Sequence, residues 1–262
     1  ATMLPRVIEV CPHFDGSSVD GFARVAESDM ILKPDLDTFA VLPWGAADGR
    51  TARLICNVYT PQGDPFIGDP RGALIRVLKE AEKLGYRFKI GMEIEFFLFK
   101  TDADGHPLLD QPYDEASYFD VAIDPAQGIR RKMMTALDTL GIQVFSTHSE
   151  IGEGQYEIDF EYDNALQAAD RIITARTVMK TVAQQNGLHC TFMPRPLAGA
   201  PGSGMHTHQS LHDHETDANI FVDSNHEYGL SEVARQFLAG QLCHARAMAA
   251  VIAPLVNSYK RL

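Results

Sequence analysis

No apolar run in this 262-residue chain is long enough to cross a bilayer. The longest, Ala247 to Val256, is interrupted by Pro254 and falls short of the ~20 residues a spanning helix needs. The opening ATMLPRVIEV lacks a signal-peptide pattern. Cysteine is sparse: Cys11, Cys56, Cys190 and Cys243 are scattered, with no CxxC pair and no framework of the kind that staples small secreted domains. Positive charge is also in deficit. With 23 Lys and Arg against 35 Asp and Glu, the formal net charge is -12, and no basic patch offsets it. A nucleic acid or an anionic membrane would be repelled by such a chain. A GxxxxGK[ST] loop is missing, so a nucleotide would not be held in the P-loop manner. Internal repeats, low-complexity tracts and heptads are missing too, which excludes solenoids and coiled coils. The expectation is a soluble, cytoplasmic protein with reduced thiols.

The hydrophobic content of 45% permits a substantial core in one domain or two unequal ones. Strand-like runs at 38–43 and 52–59, separated by turn signals and with no convincing helix, give a small β-rich unit over 1–68. Asp69 and Pro70 form an N-cap and a first-turn proline for a helix running to about Leu84, with Gly85 placed to end it. Over 69–262 strands and helices then alternate. Strands are expected at 88–99, 142–147, 155–160, 189–193 and 204–211, and helices at 126–140, 164–186 and 231–252.

The chemistry-bearing residues fall on those strands. In GMEIEFFLF, alternation sets Glu93, Glu95 and Phe97 on one face and Met92, Ile94, Phe96 and Leu98 on the other. An isolated ExE is ordinarily a solvated edge strand, but Phe96 to Phe99 is too apolar for that, and embedded carboxylates then need a cation. In His148-Ser149-Glu150-Ile151-Gly152-Glu153-Gly154-Gln155-Tyr156-Glu157, two glycines let the backbone turn and return Glu150 and Glu157 to one locus, unless the segment is a plain surface loop. GSGMHTHQS repeats the device, with His206, His208 and Ser210 on one face and Met205, Thr207 and Gln209 on the other. Carboxylates with one or two imidazoles suit hard Mg²⁺ or Mn²⁺; Zn²⁺ would prefer cysteine or several histidines. Mg²⁺ held by carboxylates commonly serves substrate phosphates, which points to phosphoryl transfer from a nucleotide.

These segments resemble the glutamine synthetase family, of the type I-like kind. ESDMILKPDLDTF, GMEIEFFLF, GQYEIDF, TFMPRPL, GSGMHTHQSL and NSYKRL occur in the family's order, and the likeness runs from FDGSSVDGF at 14–22 to the end of the chain. The resemblance implies an α+β fold: a β-grasp domain, here partial, before a catalytic domain with a curved, largely antiparallel sheet flanked by helices. It also implies homo-oligomeric stacked rings with active sites between neighbouring subunits. Glu95, Glu150 and Glu157 resemble the ligands of a substrate-side ion, and Glu93 and His206 those of a nucleotide-side ion, two Mg²⁺ or Mn²⁺ per site. Gly202 and Arg261 match glutamate-binding positions, and His208, Gln209 and Ser210 a nucleotide-contacting run. Asp15 and Ser18 resemble the loop that enters a neighbour's site, where the aspartate has a catalytic part, binding ammonium and removing its proton. On local sequence alone Asp15 is equally a turn cap, and Arg261 a surface arginine. The implied reaction ligates ammonia to the γ-carboxylate of L-glutamate through γ-glutamyl phosphate, using ATP.

The chain departs from the family in places. Its β-grasp part starts later, and family members continue past Arg261 through a flap glutamate, further arginines and a last metal ligand. The 262 residues alone are therefore expected to be inactive. Ser149 stands where a histidine is common, Pro201 where an asparagine usually precedes Gly202, and Phe145 where an acidic, nucleotide-contacting residue is frequent. Pro201 and Phe145 motivate an alternative, a γ-glutamyl ligase using an amine or polyamine. The missing ligands motivate another, a non-catalytic relative that binds metal or glutamate. The last helix carries an apolar stripe of Val233, Phe237, Leu238, Leu242, Ala245, Ala249 and Ile252, expected to be partly exposed.

Overall fold

The computed structural model describes residues 11–19, 21–24, 29–44, 51–120 and 125–261; the opening ATMLPRVIEV, with its expected lack of a signal peptide, lies outside them. Two compact units part between Gly85 and Tyr86. In the first, β1 (His13–Asp15), β2 (Asp29–Val41) and β3 (Ala52–Tyr59) form an antiparallel sheet in that order, followed by α1 (Pro70–Lys83). Pro34 sits inside the middle strand. Leu32, two residues earlier, turns its N–H away from β3 to Pro12 C=O at 2.8 Å, so by alternation the N–H that Pro34 lacks belongs to the edge away from β3, and the β2–β3 ladder loses no hydrogen bond. Asp69 caps α1 as its sequence predicts. One of its oxygens accepts from Arg71 N–H at 3.1 Å and the other from Val58 N–H of β3 at 3.1 Å, so a single buried carboxylate starts the helix and ties it to the sheet. Arg71 adds an ion pair with Asp35 at 2.8 Å.

The second unit is organised by β4 (Tyr86–Thr101), whose sixteen residues pair with five other strands. Along one edge lie β10 (Met205–Asp213), opposite residues 86–94, and β9 (Leu188–Thr191), opposite 97–100. Along the other lie β8 (Asp163–Asn164), β7 (Gln155–Phe160) and β5 (Pro107–Pro112), with β6 (Val144–Ser149) outside β7. Every strand pairing among the described residues is antiparallel, as expected for a largely antiparallel sheet. Helices α2 (Gln127–Thr139) and α3 (Ala165–Gln185) cover one face, α3 against β4 and β9. Met92, Ile94, Phe96 and Leu98 point into that layer, where Phe96 meets Tyr156 and Phe192. Burying residues of this size contributes roughly 1.5–3 kcal/mol each, which anchors the strand and thereby fixes the opposite, polar face. Helix α4 (Glu232–Ile252) starts at Ser231, whose hydroxyl accepts from Ala234 N–H. Phe237 packs on Phe88 and Phe221, while Leu242 and Ile252 remain 70% and 74% exposed, as the stripe foretold. No helix among the described residues is long and apolar enough to cross a membrane.

Candidate metal and substrate site

Register decides which side chains meet. β4 sets Glu93 opposite His206 of β10 and Asp159 of β7, and Glu95 opposite Glu157 of β7, which in turn faces His148 of β6. Directly paired residues of antiparallel strands project on the same face. Two rows of side chains thus run across the sheet, His206–Glu93–Asp159 and Glu95–Glu157–His148. Glu150 joins them from the turn after β6. There Glu150 N–H bonds to Gln155 C=O at 2.7 Å, and Gly154 adopts φ +67°. A Cβ on Gly154 would lie 2.9 Å from Pro112 Cβ and 3.0 Å from Leu98 C=O, so only glycine fits that turn.

Glu93 accepts from His206 Nδ1 at 2.9 Å and His208 Nε2 at 2.5 Å. Burial would push its carboxyl up, but the two imidazole hydrogen bonds outweigh that and hold it below the usual range. Glu157 goes the other way. Burial foremost, then the charge and hydrogen bond of Asp159 and the charges of Glu150 and Glu95, push it up to about 8. On this face two sets of potential ligand atoms each fall within 4.8 Å: Glu93, Glu157 and His206, and His148, Glu150 and Glu157; a third set among the described residues, Asp102, Asp104 and His106, is exposed and made of other residues. Glu157 belongs to both sets on this face. Glu95 is held from behind: its Oε2 accepts from Gln155 Nε2 and from Gly204 N–H, each at 2.9 Å, while Oε1 lies 3.9 Å from His206 Nε2.

Gly202 and Gly204 lie where the chain passes closest to these groups. A Cβ on Gly202 would sit 2.6 Å from both Arg261 Cγ and Pro194 C=O. One on Gly204 would sit 2.9 Å from Arg261 Nη2 and from Glu95 Oε1, and 3.2 Å from His206 Nε2. Arg261 therefore converges with Glu95 and His206 around a bare backbone. The segment carrying Arg261 is pinned by Asn257, which exchanges hydrogen bonds with the backbone of Arg195 at 2.7 and 3.0 Å, and by the Arg195 guanidinium on Lys260 C=O at 2.9 Å.

The structure thus brings together Glu93, Glu95, Glu150, Glu157, Gly202, His206, His208 and Arg261. Ser210 shares the face of His208, but Gln209 points the other way and accepts from Gln241 of α4 at 2.9 Å. Asp15 and Ser18 belong to the first unit. Asp15 caps a short 3₁₀ turn over Gly16–Ser18, its oxygens taking Ser17 N–H, Ser17 Oγ and Ser18 Oγ at 2.9, 2.6 and 2.9 Å. The Ser17 hydroxyl, then that of Ser18, hold its carboxyl below the ordinary range. Asp159, His148 and Gln155 were not singled out from the sequence. Asp159 follows Glu157 by two residues and shares its face, a parity signal that was available; its partner Ser146 donates a short hydrogen bond. His148 Nε2 lies 3.4 Å from Glu157 Oε1, and the Tyr118 ring packs against its imidazole at a tilt of 56°, centroids 4.8 Å apart.

Residues 67–262 match the family model for the glutamine synthetase catalytic domain, and residues 2–61 that for the glutamine synthetase β-grasp domain. The chain belongs to the glutamine synthetase family. It is 51% identical over 250 residues to a glutamine synthetase of Clostridium saccharobutylicum, covering 95% of this chain and 56% of that protein. It is 50% identical over 263 residues to one of Staphylococcus aureus, covering 100% of this chain and 58% of the relative. The chain thus spans less than three-fifths of the length of these curated glutamine synthetases. Among solved structures, apo GmaS superimposes with a TM-score of 0.86 at 32% identity, covering 97% of this chain and 59% of that one. The Plasmodium falciparum glutamine synthetase superimposes at 0.85 and 26%, covering 99% and 56%.

Proposed function

We propose that this chain carries a major part of the active site of a cytoplasmic ligase that joins ammonia to the γ-carboxylate of L-glutamate, using ATP and passing through γ-glutamyl phosphate. The observation that carries the reading is the convergence of five carboxylates and three histidines on one sheet face beside Gly204 and Arg261. The donor set fits hard divalent ions: it is mostly carboxylate oxygen, and a glutamate driven up to about 8 marks a cluster short of positive charge. Glu95, Glu150 and Glu157 would hold a substrate-side Mg²⁺ or Mn²⁺, and Glu93 with His206 a nucleotide-side one. Such ions, when bound, supply neutralisation of phosphate charge and orientation of the acceptor carboxylate.

The chain's own residues do the rest. Arg261 lays its methylenes against Gly202 and brings its guanidinium beside Gly204, suited to a glutamate carboxylate. His208 and Ser210 line the same face for the nucleotide, and one similar solved structure is described as a GmaS–ADP complex. Asp15 is kept ionised by two serine hydroxyls, the state needed to attract ammonium and accept its proton. In the proposed homo-oligomer of stacked rings, Asp15 and Ser18 serve a neighbouring subunit's site. A second reading, an amine in place of ammonia, is favoured by Pro201 and by Phe145, which is 74% exposed on β6. The test joins the chain to the remaining catalytic-domain residues of a relative such as the Staphylococcus aureus enzyme and follows glutamate-dependent phosphate release from ATP. Turnover with ammonium is expected. Turnover with amines alone would replace the first reading by the second, and no turnover with either would sink both.

A further inference from the structure

We infer that Gln155 is a positioning residue that couples the divalent-ion site to the glycine loop, so that ion and amino acid bind cooperatively. The inference deepens the reading under Proposed function and rests on it. Gln155 stands at the start of β7, opposite Phe97, and only 1% of it is exposed. Its amide is fully used. Nε2 donates to Glu95 Oε2 at 2.9 Å and to Gly202 C=O at 3.2 Å, while Oε1 accepts from Gly152 N–H at 3.1 Å. One buried side chain therefore touches a proposed ion ligand, the loop proposed to hold glutamate, and the turn that carries Glu150.

Only an amide meets these demands in that volume. Two hydrogens on one nitrogen serve a carboxylate and a carbonyl, and the oxygen serves a backbone donor. An ionised Glu could accept from Gly152 but would repel Glu95 and Gly202 C=O; Met could do neither. Glu95 takes its other bond from Gly204 N–H, on the same loop as Gly202, so loop and carboxylate are joined twice within two residues. An ion that fixes Glu95 favours the placement of Gln155 that also fixes Gly202, and an amino acid that fixes Gly202 favours the same placement. By linkage each ligand then tightens the other by the same factor.

The test measures Mn²⁺ affinity of the 262-residue chain from the electron paramagnetic resonance signal of free Mn²⁺, with and without saturating L-glutamate. In the unsubstituted chain glutamate is expected to tighten Mn²⁺ at least about fivefold. In Gln155→Met, which keeps the volume and loses every hydrogen bond, the ratio is expected to fall below about twofold while Mn²⁺ still binds. A Gln155→Met chain with the unsubstituted ratio, or an unsubstituted ratio near one, overturns the inference alone. No Mn²⁺ binding by the unsubstituted chain overturns the parent reading, and this one with it. Should Gln155→Met not fold, the side-chain amide proton resonances of Gln155 in the unsubstituted chain decide. Shifts on adding Mg²⁺ and on adding glutamate are expected; a response to Mg²⁺ alone overturns the coupling.

Discussion

Replacing Glu157 by Gln should stabilise the metal-free protein while destroying its affinity for divalent ions. Glu157 is 7% exposed, and its carboxyl is pushed from 4.5 up to about 8 by burial and by the charges of Asp159, Glu150 and Glu95. At about 1.4 kcal/mol per pH unit, such a displacement bounds the cost of ionising it in the fold at about 5 kcal/mol. Water reaches the cluster past His206 and His208, whose side chains are 55% and 69% exposed, and screening reduces the cost to about 1–3 kcal/mol. The folded-state pKa lies above the unfolded value, so the fold favours the protonated acid. Wild-type stability in EDTA should therefore be unpenalised below about pH 4.5 and should fall as pH rises towards 8. Glu157→Gln has no proton to lose. Chemical denaturation in EDTA at pH 4.5 and pH 8.5 should give equal stabilities at the lower pH and a variant more stable by about 1–3 kcal/mol at the higher. Mn²⁺ should then raise the wild type and leave the variant unmoved. Parallel pH dependences, or equal stabilisation of both by Mn²⁺, would refute the view that Glu157 is strained by like charge and relieved by a cation.

Three further perturbations have definite outcomes. Asp69→Ala removes a helix cap and leaves Val58 N–H unpaired in a buried position, and should lower the stability of the first unit by about 2 kcal/mol in urea titration. Gly204→Ala forces a Cβ to within 2.9 Å of Glu95 Oε1 and Arg261 Nη2, and should weaken Mn²⁺ binding at least about tenfold in calorimetry with cooperative melting retained. The Lys89 hydrogen bond, aided by Arg87, holds Asp217 below its usual range, so its contribution is present above the unfolded value near 4 and is lost on acidification through the lower folded one. Asp217→Asn should accordingly melt below the wild type at about pH 6, and the gap should narrow as the pH falls below about 4.

What the sequence made legible was whatever rests on period two within a single strand. Alternation in GMEIEFFLF separated Glu93 and Glu95 from Met92, Ile94, Phe96 and Leu98, and the same rule placed His206, His208 and Ser210 opposite Gln209. What depends on pairing between strands was not legible. Asp159 gains its meaning by standing opposite Glu93, His148 by standing opposite Glu157, and Gln155 by reaching a loop nearly fifty residues away. Neither register nor loop closure is written in a local pattern. Short strands escaped for a different reason: β1 and β8 have three and two residues, too few for any period. The first half of β2, through Pro34, carries no strand signal of its own because proline and flanking charges break the alternation.

The carboxylates on β4 and β6–β7 and the histidines of β10 would together form an ion site within this chain. Calorimetric titration of Mn²⁺ into the chain, beside a Glu95→Ala, Glu150→Ala double variant, tests it most directly. Saturable binding that the double variant loses is expected; equal binding by both, or none by the unsubstituted chain, would rule the ion site out.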